Sequence, residues 1–328
     1  MKYCTKAEAV ARMNQWGKEG QPFLFVIDYK QEKCLVERPE DIDSSEMLYD
    51  LEGWRNTDGI SFPNRTASVV WEIDPVSEAD YTRSFQVVQQ AIYAGNSYLV
   101  NLTCPTKVRT NLSLEEVFHG SRAKYKLWLK DHFIVFSPEI FVRIEQGRIC
   151  SFPMKGTIDS DTPNARQVIL DDPKETAEHA TIVDLIRNDL SMVANQVGVP
   201  RYRYIDELQT NCGGLLQVSS EVAGHLPGDW TSRLGDIFFL LLPAGSITGA
   251  PKRKTVEIIE EAEGYDRGFY TGVMGCFDGK NVNSAVMIRF IEQQDGRLVF
   301  KSGGGITSRS DCHSEYNEMK QKVYVPIY

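Results

Sequence analysis

Residues able to do chemistry occur in four groups along this 328-residue chain. In SFPMKGTIDSD, residues 151–161, a single amine, Lys155, sits between an extended apolar run and a Gly-Thr turn. A lysine at the end of an apolar strand ordinarily snorkels to water, so position alone leaves open whether this one is merely solvated or does work. Sixteen residues earlier, SPE carries Glu139. The intervening FVRI, EQG and RICSFP read as strand, turn and strand, which can bring Glu139 and Lys155 back to one neighbourhood.

The second group is DDPKETAEHATIVDLIRNDL. Asp172 reads as an N-cap, Pro173 as the first helical residue, and Glu175 completes a capping box. Glu178 falls in line with Ile182 and Ile186 on the stripe this helix buries, and a buried carboxylate needs a partner. The C-terminal SRSDCHSEYNEMKQKVY repeats the pattern: Ser310 or Asp311 as cap, Glu315 and Glu318 three apart, and Tyr316, Met319 and Val323 on the apolar side. Glu318 and Lys322 form a surface i,i+4 pair on local grounds. If the two helices face each other, four carboxylates converge and require a cation. Hard oxygen donors without a His or Cys cluster select Mg²⁺, with one carboxylate of each pair binding it directly.

The fourth group joins PAGSITGAPKRKT (243–255) to GGGITS (303–308). Gly245 to Lys252 is similar in outline to a phosphate loop, but Ala250-Pro251 break the required spacing. Gly303-Gly304-Gly305 follow the strand RLVFK and suit either a backbone N–H nest for a carboxylate or a plain loop. Arg289, inside the strand SAVMIRF, either reaches the sheet edge or clamps an anion.

The elements that must position these groups form one continuous unit, 1–328, with no repeat, low-complexity tract or linker. A helix over 5–18 precedes the strand FLFVIDY and the loop-rich EGWRNTDGISFPNR. A second helix runs from Ser77 to Gly95-Asn96, and a long one covers 173–194. SYLVNLT, HFIVFS and FVRIEQGRICSFPM read as strands, and FYTGVMGCFDGKNVNSAVMIRFIE as a hairpin turning at Asp278-Gly279. Strand pairs set apart from helices indicate an α+β fold with antiparallel sheets. The longest apolar run, IFFLLL, is far short of the ~20 residues of a membrane span, and no signal-peptide core opens the chain, so a cytoplasmic address is expected. Seven cysteines without C-x-x-C spacing (Cys4, Cys34, Cys104, Cys150, Cys212, Cys276, Cys312) suit reduced thiols. A formal net charge of −9 disfavours nucleic acid and anionic membrane as partners, so an anionic substrate must meet a local positive patch or a metal.

Taken together, FPMKGT, EHATIVDLIRND, PAGSITGAPK, YTGVMG, VMIRF, GGGITS and the terminal E-x-x-E-x-x-x-K resemble the chorismate-binding enzymes, which include anthranilate synthase, aminodeoxychorismate synthase component I, isochorismate synthase and salicylate synthase. The resemblance covers 81–328; residues 1–75 form a short, divergent N-terminal part. It implies one large α+β domain, two antiparallel sheets packed as a sandwich with helices outside, and a Mg²⁺-chorismate site between them. Anthranilate synthases carry Ala where this chain has Lys155, whereas aminodeoxychorismate synthases carry a nucleophilic Lys. The implied reaction is therefore attack of Lys155 on ring carbon 2 of chorismate as the carbon 4 hydroxyl leaves, then addition of ammonia at carbon 4 to give 4-amino-4-deoxychorismate, a precursor of para-aminobenzoate and folate. Glu139 matches the general acid and must be protonated; Lys155 must lose its proton. Glu175, Glu178, Glu315 and Glu318 match the metal carboxylates. Tyr270, Arg289, Lys322 and the N–H groups of Gly304 and Gly305 look like carboxylate clamps, and Gly156, Thr157 and Thr248 line the same pocket.

Two departures stand out. Gln217 in LLQVSSEV replaces a His of the relatives, and Leu99 in YLVNLT occupies the place of the water-activating Lys of isochorismate and salicylate synthases, or of Gln in many amine-transferring members. No cysteine sits in a G-x-C-x-G setting, so ammonia is expected from a separate glutamine amidotransferase subunit. The rival expectations are anthranilate synthase component I, which Lys155 opposes, and a non-catalytic chorismate-binding or glutaminase-anchoring protein.

Overall fold

A computed structural model describes residues 2–57, 68–210 and 213–326. The chain begins with α1 (Lys6–Glu19), β1 (Phe23–Ile27), β2 (Cys34–Glu37), β3 (Met47–Leu51), β4 (Trp54–Arg55), β5 (Trp71–Asp74) and α2 (Glu78–Tyr93). It continues through β6 (Leu99–Thr110), α3 (Leu114–Gly120), β7 (Tyr125–Leu129), β8 (Phe133–Ser137), β9 (Ile140–Glu145), β10 (Arg148–Ser151), β11 (Met154–Asp159), α4 (Ala165–Asp171) and α5 (Pro173–Ser191). The remainder is β12 (Asn195–Thr210), β13 (Gly213–His225), α6 (Leu234–Leu241), β14 (Gly249–Ala250), α7 (Lys252–Glu263), β15 (Val273–Phe277), β16 (Val282–Val286), β17 (Phe290–Gln294), β18 (Arg297–Ile306) and α8 (Cys312–Gln321).

All pairings are antiparallel and fall into two sheets. The first runs β11-β13-β10-β9-β16-β15-β1-β2 with β12 beside β13; the second runs β14-β6-β18-β17-β8-β7-β3-β4 with β5 beside β6. FLFVI in β1 shows how they stack: Leu24 and Val26 pack against Tyr49, Leu127 and Val135 of the second sheet, while Phe23, Phe25 and Ile27 point the other way onto α1, α5 and α6. A strand buried on both faces reads as a continuous apolar run, which is what this one is. On the outer face of the second sheet, α2, α7 and α8 cover Val100, Leu102 and Ile306 through Phe85, Ile258 and Met319. Four layers result, helices outside two antiparallel sheets, as the resemblance implies.

Several local expectations change. The helix predicted over 173–194 ends at Ser191, where a turn leads into β12, and the long β12–β13 hairpin was not anticipated. Gly156-Thr157 is no turn. It lies inside β11 at a β-bulge, where the register with β13 shifts between Met154 and Thr157. Arg289 is not within a strand: β16 stops at Val286 and β17 starts at Phe290, so Arg289 sits in the link between sheets with φ 54°. Gly303–Gly305 are not a loop either, since β18 continues through them opposite Thr103–Asn101 of β6. The cap of α8 is Asp311, whose carboxylate accepts the Ser314 N–H at 2.9 Å. Of EGWRNTDGISFPNR, residues 58–65 lie outside the described residues, as does Cys212. The six described cysteines form no disulfide. No helix among the described residues is long and apolar enough to cross a membrane.

Candidate active site

Where the two sheets part, a cavity of about 360 Å³ opens, walled by β9, β11 and β13 on one side, by β6 and β18 on the other, and floored by α5. Three backbone features aim side chains into it. The first is the bulge in β11. Gly156 adopts φ 79° there, a conformation costly for any residue with a Cβ, and the extra residue turns Lys155 inward. The second is the pair of crossovers between sheets: β8 to β9 carries Glu139 and β16 to β17 carries Arg289. The third is the overrun of β18 past β17, whose pairing ends at Phe290 with Lys301. Beyond that point Gly303–Gly305 keep β6 on one edge and face the cavity on the other.

Lys155 Nζ lies 3.0 Å from Glu178 Oε2 on α5. Across the cavity it approaches β18 so closely that a Cβ on Gly305 would stand 3.3 Å from it. Burial alone would depress the ammonium's pKa, but the ion pair with Glu178 and the fields of Glu175 and Glu318 more than offset it, so the amine is held above the ordinary lysine range. That direction is opposite to the neutral amine the implied chemistry needs. The carboxylates therefore act on Lys155 from both helices, α5 and α8.

Glu139 is half-buried, and burial raises its carboxyl pKa despite the hydrogen bond from Ser246 and the fields of Lys155, Arg289 and Lys322. Ser246 Oγ donates to Glu139 Oε1. A carboxyl whose pKa is raised beside cations is better suited to proton donation than an ordinary one.

The remaining acids sit where the helices approach the strands. The Asp172 carboxylate accepts the Glu175 N–H at 3.0 Å, and Glu175 Oε2 lies 3.0 Å from where a Cβ of Gly156 would be. Over Gly304, Glu315 Oε2, Glu318 Oε1 and Lys322 Nζ gather within 3.4–3.7 Å of a Cβ position, which only glycine leaves open. Lys322 pairs with Glu318 at 2.7 Å and donates to the Gly303 carbonyl at 2.8 Å. Glu178 and Glu315 are 8% and 6% exposed, too buried to be incidental surface acids. The acids do not converge on one point as expected: among the described residues no three His, Cys, Asp or Glu groups stand close enough to hold a metal together. Glu178, Glu175 and Glu318 act on Lys155 instead, while Glu315 lies over Gly304. One buried hard-oxygen donor from each helix, completed by water and substrate oxygens, still fits Mg²⁺, which takes few protein ligands.

Thr157, Gln217, Tyr270, Arg289 and Leu99 also line the cavity. Thr248 does not. It is fully buried, its hydroxyl donates to the Ala244 carbonyl, and it shapes the 243–251 segment from behind.

Sequence reasoning missed the parts that hold this segment in place. Lys252 Nζ pairs with the cavity-lining Asp189 at 2.8 Å and with the Leu241 carbonyl at 2.9 Å. Beneath, the Arg267 guanidinium grips Glu263 while donating to the carbonyls of Ile247 (2.9 Å) and Asn101 (2.7 Å). Ser246 and Asn101 were legible only as a residue in a supposed phosphate-loop mimic and as the position two after Leu99 on the same strand face.

Comparison with known proteins agrees with this architecture. Residues 5–327 match the model of the chorismate binding enzyme family. An uncharacterized PabA-like protein of Haemophilus influenzae is 47% identical over 327 residues, spanning 100% of this chain and 99% of that one. Aminodeoxychorismate synthase component 1 of Klebsiella aerogenes is 30% identical over 79% of this chain and 59% of its own length. Anthranilate synthase component 1 of Acetivibrio thermocellus is 32% identical over 76% of this chain and 52% of its own. Among solved structures, the menaquinone-specific isochorismate synthase MenF of Escherichia coli shares the fold at a TM-score of 0.76 and 15% identity, covering 98% of this chain and 82% of that one.

Proposed function

The chain belongs to the chorismate-binding enzymes, and from that premise we propose that it aminates chorismate with ammonia to 4-amino-4-deoxychorismate through a covalent bond to Lys155. The observation that carries this reading is the position of Lys155 inside the cavity, on a bulge that aims it between the acids of α5 and α8, with Glu139 lining the same space.

Each residue has a task it is placed to do. Tyr270, Arg289, Lys322 and the backbone of Gly304 and Gly305 hold the two substrate carboxylates, Arg289 and Lys322 supplying the positive charge that an acidic protein otherwise lacks. Gly156 and Thr157 set the wall beside the ring. Glu139, its carboxyl pKa raised by burial and its orientation set by Ser246, gives its proton to the departing carbon 4 hydroxyl, since hydroxide itself leaves poorly. Lys155 passes its ammonium proton to Glu178, 3.0 Å away, and the neutral amine then forms the bond to carbon 2. Glu178 and Glu315, with Glu175 and Glu318 behind them, would hold Mg²⁺. When bound, the ion supplies charge that balances these carboxylates and polarises substrate oxygens. Leu99 puts an apolar side chain against Gly305, 3.0 Å from its Cβ position, where a water-activating lysine would stand in a hydroxylating relative. Ammonia comes from a separate glutamine amidotransferase in the cytoplasm, and free ammonium replaces it in the test tube.

Anthranilate formation is the rival reading, favoured by the 32% identity to an anthranilate synthase, which percentages do not separate from the 30% to an aminodeoxychorismate synthase. Lys155 argues against it. Incubating the purified chain with chorismate, Mg²⁺ and ammonium and resolving products by mass tests the two: non-aromatised aminodeoxychorismate supports the proposal, and anthranilate or no turnover refutes it.

A further inference from the structure

We infer that Asn101 is the residue that holds the incoming ammonia, its side-chain Oδ1 accepting an N–H while the nitrogen lone pair stays free to attack. The inference rests on the proposed amination and concerns which group of the cavity handles the second substrate.

The argument begins with what ammonia requires. A carboxylate near it favours ammonium, which has no lone pair to give, and a donor would tie that lone pair up. A neutral acceptor does neither. The acids lining the cavity are also committed, Glu318 to Lys322, Asp189 to Lys252 and Glu139 to Ser246, and the Lys155 amine is held by Glu178. Two carboxamides line it, those of Asn101 and Gln217, and neither side chain makes a hydrogen bond with a described residue. They occupy opposite walls. Gln217 on β13 pairs across the ladder with Thr157, on Lys155's own strand. Asn101 on β6 lies opposite Gly305.

The backbone of Asn101 is fixed on both sides by groups that also fix the acid. Its N–H donates to the Thr248 carbonyl at 2.9 Å, and its carbonyl accepts Arg267 Nη2 at 2.7 Å. The same guanidinium donates to Ile247 at 2.9 Å, next to the Ser246 that orients Glu139. One buried cation thus sets the spacing between Asn101 and the segment that positions the proton donor. The carbon losing hydroxide to Glu139 is the carbon that ammonia must reach, so the amine belongs on this wall. With Leu99 apolar, Asn101 supplies the polar side chain that β6 turns to the cavity.

In the step itself the ammonia lone pair forms the carbon 4–nitrogen bond and the ring electron pairs shift. The carbon 2–nitrogen bond breaks toward Lys155, and one proton passes from the new ammonium to the lysine nitrogen. Atoms and charge balance without another reactant.

The test uses the full chain with chorismate, Mg²⁺ and ammonium chloride, comparing wild type with Asn101→Ala and Asn101→Asp. Because the hydrogen bonds of Asn101 run through its backbone, both variants should keep the wild-type melting temperature. For Asn101→Ala the KM for ammonia should rise about tenfold, the worth of one well-made hydrogen bond. The KM for chorismate and the rate at which Lys155 is modified in the absence of ammonia should stay unchanged. Asn101→Asp should move the dependence on total ammonia to higher pH, because the carboxylate favours ammonium. Unaltered ammonia KM in both variants, or equal rises in both KM values, overturns the assignment. A wild-type chain that releases no aminated product overturns the function and this inference together, which separates the two failures.

Discussion

Glu139 and Arg289 stand on neighbouring crossovers between the two sheets, and the crossovers are bonded to each other: the Glu139 carbonyl accepts the Val286 N–H and the Arg289 carbonyl accepts the Phe136 N–H, each at 3.1 Å. The proposed proton donor and the proposed anion clamp are therefore set by the geometry of the sandwich. A non-glycine residue at φ 54° costs free energy, and here the cost falls on Arg289, at the wall of the cavity.

A pH dependence follows from Glu139. Its carboxyl must be protonated to act, and burial holds its pKa above the ordinary value, so kcat/KM should fall as pH rises through that raised pKa. The Ser246 hydrogen bond pulls the pKa down, and Ser246→Ala should therefore carry the alkaline limb to higher pH while lowering kcat through lost orientation. A pH-rate profile of both proteins checks this; a limb that moves to lower pH would contradict it.

Gly156→Ala should hurt activity more than stability. The substitution places a Cβ at φ 79°, costing about 1–2 kcal/mol of folding free energy, and sets it 3.0 Å from Glu175 Oε2. Straightening the bulge to relieve that contact would turn Lys155 out of the cavity. Denaturant unfolding and kcat measured on the same preparation separate the two effects: a modest loss of stability with near-complete loss of turnover is expected.

Arg267→Met should destabilise the fold by about 3–5 kcal/mol, because Glu263, whose side chain is 1% exposed, would be left buried without its cation. Adding Glu263→Leu should restore much of the melting temperature, since an apolar pair carries no such penalty. Activity should stay low in the double variant, because the Ile247 and Asn101 carbonyls lose the guanidinium that spaces them.

How much of this could be read from the chain depends on the range of the interaction. Helix starts at Ser77 and Asp311 and the Asp278-Gly279 hairpin are local, and each formed as its residues dictate. Glu178 was legible because a carboxylate on an apolar stripe demands a partner, and Lys155 is that partner at 3.0 Å. The bulge at Gly156 was not legible, since Gly-Thr signals a turn equally well and only the register with β13 decides between them. Gly303–Gly305 misled for a related reason: glycine weakens a strand in isolation, yet pairing with β6 carries β18 straight through. The roles of Ser246, Asn101 and Arg267 depend on contacts between residues more than a hundred positions apart, which no local pattern encodes.

The most direct measurement is the intact mass of the chain after brief exposure to chorismate and Mg²⁺ without ammonia, followed by peptide mapping. A chorismate-derived adduct on Lys155, absent from Lys155→Ala and discharged by ammonium as aminodeoxychorismate, is the expected result. An unmodified Lys155 in a chain that nonetheless turns chorismate over, or that makes anthranilate, would contradict the account.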